Sequence, residues 1–428
     1  MADRKFGIET QCLHAGQIPD PITGARAVPI YQTTSYVFDD TEHAASLFNL
    51  QTFGNVYVRL TNPTTAVFEE RMATLENGRA AVGVSSGMAA QMTAILTLMQ
   101  QGDELVSAKA LYGGTFSQFD FSFRKMGINT TFVDSDDPEN FRKAITSKTK
   151  ALYAEIIGNP TNNVIDIEAI AAIAHDAGIP LIVDNPFASP YLCKPFDHGA
   201  DIVVHSATKF IGGHGTSMGG VVIESGKFDW GNGNFPGMTE PSAGYHGIRF
   251  YETFGDFGFT TKARCETLRT LGQAMSPFNA FMMLQGIETL PLRMERHCAN
   301  AVAVADFLNQ HPAVSWVGFA GSADSPYRAL VEKYLPRGAG SIMTFGVKGG
   351  LEAGKKFIDN AQMMSHLANV GDARTLIIHP ASTTHRQLSE EQQVAAGITA
   401  DMVRISVGLE TIDDILWDLD QALAISQS

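Results

Sequence analysis

The sequence predicts an α/β protein. Its main body is a mostly parallel sheet flanked by helices, with an N-terminal arm ahead of it and a smaller C-terminal α/β domain behind. Three observations lead there. Short apolar runs alternate with amphipathic stretches from about residue 80 onward, the pattern of strands buried beneath helices on both faces. Forty of the 428 residues are glycine, which suits many tight turns and close backbone approaches. The chain is also long enough for two or three structural units.

Taken in order, residues 1–61 mix polar, aromatic and turn residues without a long periodic segment. They are expected to form an arm that packs on something else, such as another subunit. Residues 62–269 form the expected large domain. Ala80–Val84 reads as a strand that meets Ser85-Ser86-Gly87. A helix follows, with Met88, Met92, Ile95, Leu96 and Met99 on one face. Glu104–Ala108 and Thr130–Val133 are strands separated by an aromatic helix around 114–126. Asp137 caps an expected helix over 138–147, with Pro138 at its first position and Phe141 and Ile145 inward. Leu152–Ile157, Pro180–Val183, Ile202–His205 and Gly220–Ile223 are further strands, and a helix begins at Asp166. Residues 225–260 are rich in Gly, Pro and aromatics and too long for a structureless loop, so a partly ordered insertion near a functional surface is expected. Residues 270–428 form the smaller domain. It holds a long amphipathic helix over Leu292–Leu308 and strands at 341–347, 375–378 and 402–407.

Composition narrows the function. A formal net charge of -14 argues against nucleic-acid binding, which normally needs a basic face. No run approaches the roughly 18 apolar residues of a membrane span, and the opening has no apolar segment after its charges. A cytoplasmic protein that binds no membrane is expected. Cys12, Cys193, Cys265 and Cys298 have no paired spacing, so inert thiols are favoured over a disulfide scaffold or zinc site, and no metal is expected.

Several residues bear on chemistry. Lys209 follows a strand and Ser206-Ala207-Thr208. An amine there could form a Schiff base if desolvation or a cationic neighbour lowers its pKa, and the flanking hydroxyls could bind phosphate. Alone, such a string more often marks a solvated lysine. Asp184 ends an apolar strand, a costly place for an unpaired carboxylate; a turn cap or a metal ligand would also explain it. Gly87 and Met88 sit at a helix start, an anion site or simply a capped end. Tyr112 offers a ring for stacking or for packing. Tyr57-x-Arg59 lies far off in the arm, where the guanidinium could take a phosphate across a subunit boundary. Arg404, among valines and isoleucines, invites a carboxylate from a substrate or from the protein's own acidic residues. One ligand would use them all: pyridoxal 5′-phosphate (PLP), with Asp184 on its ring nitrogen.

Longer motifs agree. YxR at 57–59, SSGMAA at 85–90, ALYGGT at 110–115, GNPTN at 158–162, IVDN at 182–185, HSATKFIGGHG at 205–215, HPASTTH at 379–385 and VRISVGLE at 403–410 appear in fixed order. With them the chain resembles the Cys/Met-metabolism family of PLP enzymes over essentially its whole length. The resemblance implies the aspartate-aminotransferase-like fold, fold type I, and Lys209 as the Schiff-base lysine. It implies Asp184, Tyr112, Gly87, Met88, Ser206 and Thr208 as further cofactor contacts, completed by Tyr57 and Arg59 of a neighbouring subunit. Asn159, Arg404 and Asn369 are implied to meet the substrate, with Tyr112 and Tyr57 assisting Lys209. A homotetramer of catalytic dimers is also implied.

Within the family, the insertion, the ETQCLHAGQ opening and the ANVGDARTLIIHPASTTH segment most resemble members that join O-acetyl-L-homoserine to sulfide, giving L-homocysteine and acetate. Methanethiol in place of sulfide would give methionine. Methionine γ-lyase and cystathionine γ-synthase chemistry are the alternatives. Gly114 stands where the γ-lyases usually carry cysteine, which lowers the first of these.

Overall fold

The parallel strands align their carboxyl ends along one edge, and that edge organises the molecule. The computed structural model describes residues 4–384, 386 and 397–428; His385, the last residue of the HPASTTH motif, lies outside them. Seven strands form the first sheet: β1 (Ala80–Val84), β2 (Glu104–Ala108), β3 (Asn129–Val133), β4 (Thr149–Glu155), β5 (Leu181–Asp184), β6 (Ile202–Ser206) and β7 (Gly220–Glu224). Their order is β1-β7-β6-β5-β4-β2-β3. Only β7 runs against its neighbours, so the sheet is mostly parallel but mixed. Every residue of β5 is buried, whereas β3 is a partly exposed edge. Apolar strands of this kind need helices on both faces.

The helix Gly87–Leu98 begins three residues after β1, capped by the Ser86 side chain, which accepts from the Ala89 N–H. The aromatic helix contains a π-helical segment, Gln118–Phe123. The helix expected over 138–147 is shorter, Glu139–Ala144; Pro138 is its cap, and Asp137 accepts from the Glu139 N–H just outside it.

Five strands form the second sheet: β8 (Val314–Gly318), β9 (Ile342–Val347), β10 (Ser365–His366), β11 (Leu376–Ile378) and β12 (Met402–Ser406), ordered β10-β11-β12-β9-β8. The sequence pattern had not revealed β8 or β10; both are short or half-exposed and lack a continuous apolar run. The long helix spans Leu290–Gln310.

The arm is not uniformly extended. Its helix Ile8–His14 docks on its own chain, where Cys12 is fully buried and Arg71 donates to the Ala15 carbonyl at 2.9 Å and to Gln17 at 3.1 Å. Further along, Ile22, Val37 and Phe53 are 90%, 97% and 81% exposed. Covering each would contribute about 2 kcal/mol, so this stretch presents an unburied apolar face.

The insertion departs from expectation. Asn232 and Asn234 donate to the Gly178 carbonyl, Lys150 donates to the Asn234 carbonyl, and Arg79 pairs with Asp256 at 2.6 Å. These partners lie at the amino ends of β5, β4 and β1, so the insertion closes the edge opposite the carboxyl ends. The physical reason is its own aromatic cluster, in which Trp230 stacks on Phe259 and meets Phe228 and Phe235. All four cysteines are buried and unpaired. Among the described residues, no helix is long and apolar enough to cross a membrane.

Candidate active site

Lys209 lies in the turn after β6. Its Nζ donates to Asn369 Oδ1 at 2.6 Å. Desolvation, with Arg404 as a cationic neighbour, brings its pKa down to about 8. Both causes anticipated from the sequence therefore act together. At pH 7 about one amine in ten is neutral, against about one in 3,000 for an unperturbed lysine.

Asp184 ends β5, buried. Its Oδ2 accepts from Gln91 Nε2 and from the Tyr153 hydroxyl, both at 2.9 Å. Gln91 is itself fixed by Thr115. Among the described residues both of its hydrogen bonds come from these side chains and none from a backbone N–H, so it caps no turn there. Burial raises its pKa to about 6, partly offset by Tyr153, Gln91 and the charge of His205. His205 in turn meets Glu76 at 2.5 Å, both fully buried.

Beside Asp184 is a second buried carboxyl. Glu155 is its register partner on β4, raised well above the carboxylate range by burial and then by the charge of Asp184. Glu155 accepts the Tyr112 backbone N–H at 2.6 Å, which fixes the chain carrying that ring. The Tyr112 side chain is 52% exposed at the mouth of the site. Gly114 packs directly under its ring, so any side chain there would strike it.

The helix start at Gly87 meets the end of β6. A Cβ on Gly87 would come within 2.6 Å of Ser206 Cβ, so only glycine allows this approach. Backbone N–H groups of Gly87 and Met88 belong to the open first turn of a twelve-residue helix. The Ser206 hydroxyl has no hydrogen-bond partner among the described residues, while the Thr208 hydroxyl exchanges hydrogen bonds with Gly219. No arginine or lysine hydrogen-bonds to this cup among the described residues. Tyr57 and Arg59 are exposed, with the guanidinium 5.1 Å from the tyrosine ring centre, and neither side chain hydrogen-bonds to the cup among the described residues.

Arg404, on β12, donates to Asn159 Oδ1 at 3.3 Å and to the Asn369 carbonyl at 3.5 Å. Burial lowers its pKa to about 10. Among the described residues no carboxylate pairs with it, so none of them forms the core-edge salt bridge. A half-buried guanidinium that meets only neutral oxygens among the described residues is set to take an anion. Lys209, Asn369, Arg404 and Asn159 thus form one chain of contacts across the two sheets.

Comparison with known proteins fits this geometry. Residues 9–424 match the family described as Cys/Met metabolism PLP-dependent enzyme. The chain belongs to that family. It is 55% identical to an O-acetyl-L-homoserine sulfhydrylase of Leptospira meyeri, over 98% of this chain and 97% of the relative. A homocysteine synthase of Schizosaccharomyces pombe is 52% identical over 98% of each chain. Among solved structures, one described as an O-acetylhomoserine (thiol)-lyase of Campylobacter jejuni, with a pyridoxyl-lysine 5′-monophosphate, superposes with a TM-score of 0.95. That structure is 39% identical, covering 98% of this chain and 100% of the other. The fold is that of the fold type I PLP enzymes, and the cofactor of the family is PLP. The residues fit that group: a glycine cradle for phosphate, a buried carboxylate, and an amine with a depressed pKa.

Four residues of the site escaped the sequence reading: Gln91, Tyr153, Glu155 and the helix residue Arg293, taken up below. Glu155 carried a usable signal, because it is a carboxylate inside the apolar run Leu152–Ile157. Gln91 and Tyr153 sit inside apolar runs, where a single polar side chain gives little warning.

Proposed function

We propose that this chain replaces the acetyl group of O-acetyl-L-homoserine with sulfide, giving L-homocysteine and acetate. The observation that carries this reading is the 55% identity, nearly end to end, with a protein described as an O-acetyl-L-homoserine sulfhydrylase. The site suits such an amino acid: Arg404, with Asn159 and Asn369, receives the α-carboxylate.

Gly87, Met88, Ser206 and Thr208 would hold the phosphate of PLP, Asp184 its ring nitrogen and Tyr112 its face. PLP, when bound, supplies an electron sink for the negative charge that develops beside the substrate's amino-bearing carbon. The protein's own part is proton traffic. The Lys209 amine would take the proton from Cα, pass it on, and, neutral again, take a second from Cβ before acetate departs from Cγ. Sulfide bonds to Cγ and the protons return. One base must reach several carbons, which suits a lysine on a flexible stem. The exposed Tyr112 hydroxyl and a neighbour's Tyr57 would assist that traffic.

The arm's exposed apolar face and the cup's lack of a cation support one further part of this reading. A second copy supplies Tyr57 and Arg59, and catalytic dimers pair into a tetramer.

Steady-state rates with acetyl-, succinyl- and phosphohomoserine, each with sulfide, methanethiol or cysteine, test the assignment. Homocysteine formation from the acetyl ester should dominate by about tenfold or more. Dominant cystathionine formation, or α-ketobutyrate release from methionine without a thiol, would replace the assignment.

A further inference from the structure

The helix Leu290–Gln310 carries a buried polar stripe that the reaction above does not use. Arg293, His297 and Asn300 are 5%, 0% and 3% exposed and lie along one face. Arg293 donates to the carbonyls of Phe210 at 2.7 Å, Ile211 at 3.3 Å and Gly286 at 2.6 Å, and its Nε donates to Thr289 at 3.3 Å. No carboxylate pairs with it among the described residues, and burial lowers its pKa to about 10. An apolar side chain would fill this space without desolvating a charge. Two of the cation's four hydrogen bonds go to the two residues immediately after Lys209.

The rest of the stripe reaches the other half of the site. His297 Nδ1 donates to the Val407 carbonyl at 2.7 Å, and its ring meets Phe210 edge-on. Asn300 Nδ2 donates to the carbonyls of Gly408 and Glu410, each at 3.0 Å. Those carbonyls follow β12, which carries Arg404. Between the two halves lies Gly371 at φ +75°, packed so closely that a Cβ would come 2.7 Å from the Phe210 nitrogen. Its N–H donates to Ser406 Oγ. The Lys209 turn and the β12 end are thus joined by hydrogen bonds, one edge-on ring contact and the close packing of Gly371.

We propose that Arg293 is a positioning residue: with His297 and Asn300, it fixes the Lys209 turn and the Arg404 strand on one rigid helix. The helix thereby sets the span between the amine that moves the Cα proton and the guanidinium that holds the carboxylate. This rests on the reading that Lys209 and Arg404 serve one substrate, but on neither the acyl group nor the thiol. Proton transfer is sensitive to such a span, because a misplacement of about 1 Å can cost about a hundredfold in rate.

The test uses holoenzyme and an amino acid without a leaving group, L-norleucine. Its Cα–H exchange in D2O, followed by proton NMR, needs the loaded cofactor, Lys209 and Arg404 but no leaving group and no thiol. Arg293→Lys keeps the charge and loses the fork. It should slow exchange at saturating norleucine by about tenfold or more, with the bound-cofactor absorbance unchanged and the half-saturating concentration within about threefold. Asn300→Ala, which removes no buried charge, should instead raise the half-saturating concentration by about threefold or more. Exchange within about twofold of the unaltered enzyme in both variants would overturn the proposal, as would losses that only track the fraction of folded, cofactor-loaded protein. If the unaltered holoenzyme exchanges norleucine normally but makes no homocysteine, the reaction assignment fails and this inference stands.

Discussion

The carboxyl edge of the first sheet and the N-terminal arm both carry residues implicated in one site, yet they differ in how they are finished. At the sheet edge, Asp184 has two donors, Lys209 has an acceptor, and Glu155 grips the Tyr112 backbone. In the arm, the Arg59 guanidinium rests over the exposed Tyr57 ring, and nearby apolar side chains face solvent. The first region finds its partners within the chain, while the second leaves its apolar side chains in solvent, where the proposed second copy would cover them. Burial is the physical difference: polar groups taken out of water must find partners locally, whereas exposed ones can wait.

The sharpest way to break this contrast is to mix two inactive proteins. Lys209→Ala and Arg59→Ala should each lose activity, the first by about a thousandfold or more. If the arm completes a neighbour's site, subunit exchange between them makes hybrids with one intact site. Activity should then recover to about a quarter of the unaltered enzyme, the statistical share for a twofold dimer. An arm serving its own chain would leave the mixture as inactive as its components. Sedimentation analysis of the mixture checks that exchange occurred.

The same contrast explains what was legible in the sequence. Strands β1–β7 were all placed within a few residues, because strands of a helix-covered sheet leave short apolar runs. The sheet's mixed character was not, since nothing in Gly220–Glu224 reveals that β7 runs backward. Lys209 and Asp184 stood out as charged residues at the ends of apolar strands. Their supports did not: Gln91 lies in an apolar helix, and Arg293 shares a face with Met294, Ala301 and Leu308. Hydrophobic periodicity counts such a face as core and passes over the single polar member. The insertion misled for a related reason. Glycine and aromatics are shared by binding loops and by self-packed clusters, and Trp230 with Phe259 belongs to the second kind.

A middle-sized effect sharpens the comparison within the complete region. Arg404 already has two neutral acceptors, so removing it leaves no buried carboxylate behind. Arg404→Ala should therefore fold normally by circular dichroism, yet lose about a hundredfold in kcat/KM, mostly through KM. Arg404→Lys should recover only part of this, because a point charge cannot grip a carboxylate with two parallel hydrogen bonds. A variant unaffected in KM but lowered in kcat would remove Arg404 from carboxylate binding.

A smaller effect is expected at the phosphate cup. Gly87→Ala puts a methyl group 2.6 Å from Ser206 Cβ, and the helix start must back away from β6. Cofactor affinity should fall by about tenfold, or about 1.4 kcal/mol, measured by spectral titration of the cofactor-free protein. Unchanged affinity would place the phosphate elsewhere.

The smallest effect follows from the Lys209 amine itself. Only its neutral form can attack the aldehyde of PLP, and desolvation with Arg404 nearby favours that form by lowering the pKa to about 8. The sign is fixed: below that value the amine is protonated, so the loading rate of cofactor-free protein rises with pH and levels off above about 8. Between pH 7 and 8 the neutral fraction grows about fivefold, and the growth of the lysine-linked absorbance should follow it. Arg404→Ala removes one of the two causes, so its plateau should begin at higher pH. A rate that climbs tenfold per unit up to about pH 10 would mean an unperturbed lysine, and with it a site far more open to water than the Lys209–Asn369 contact indicates.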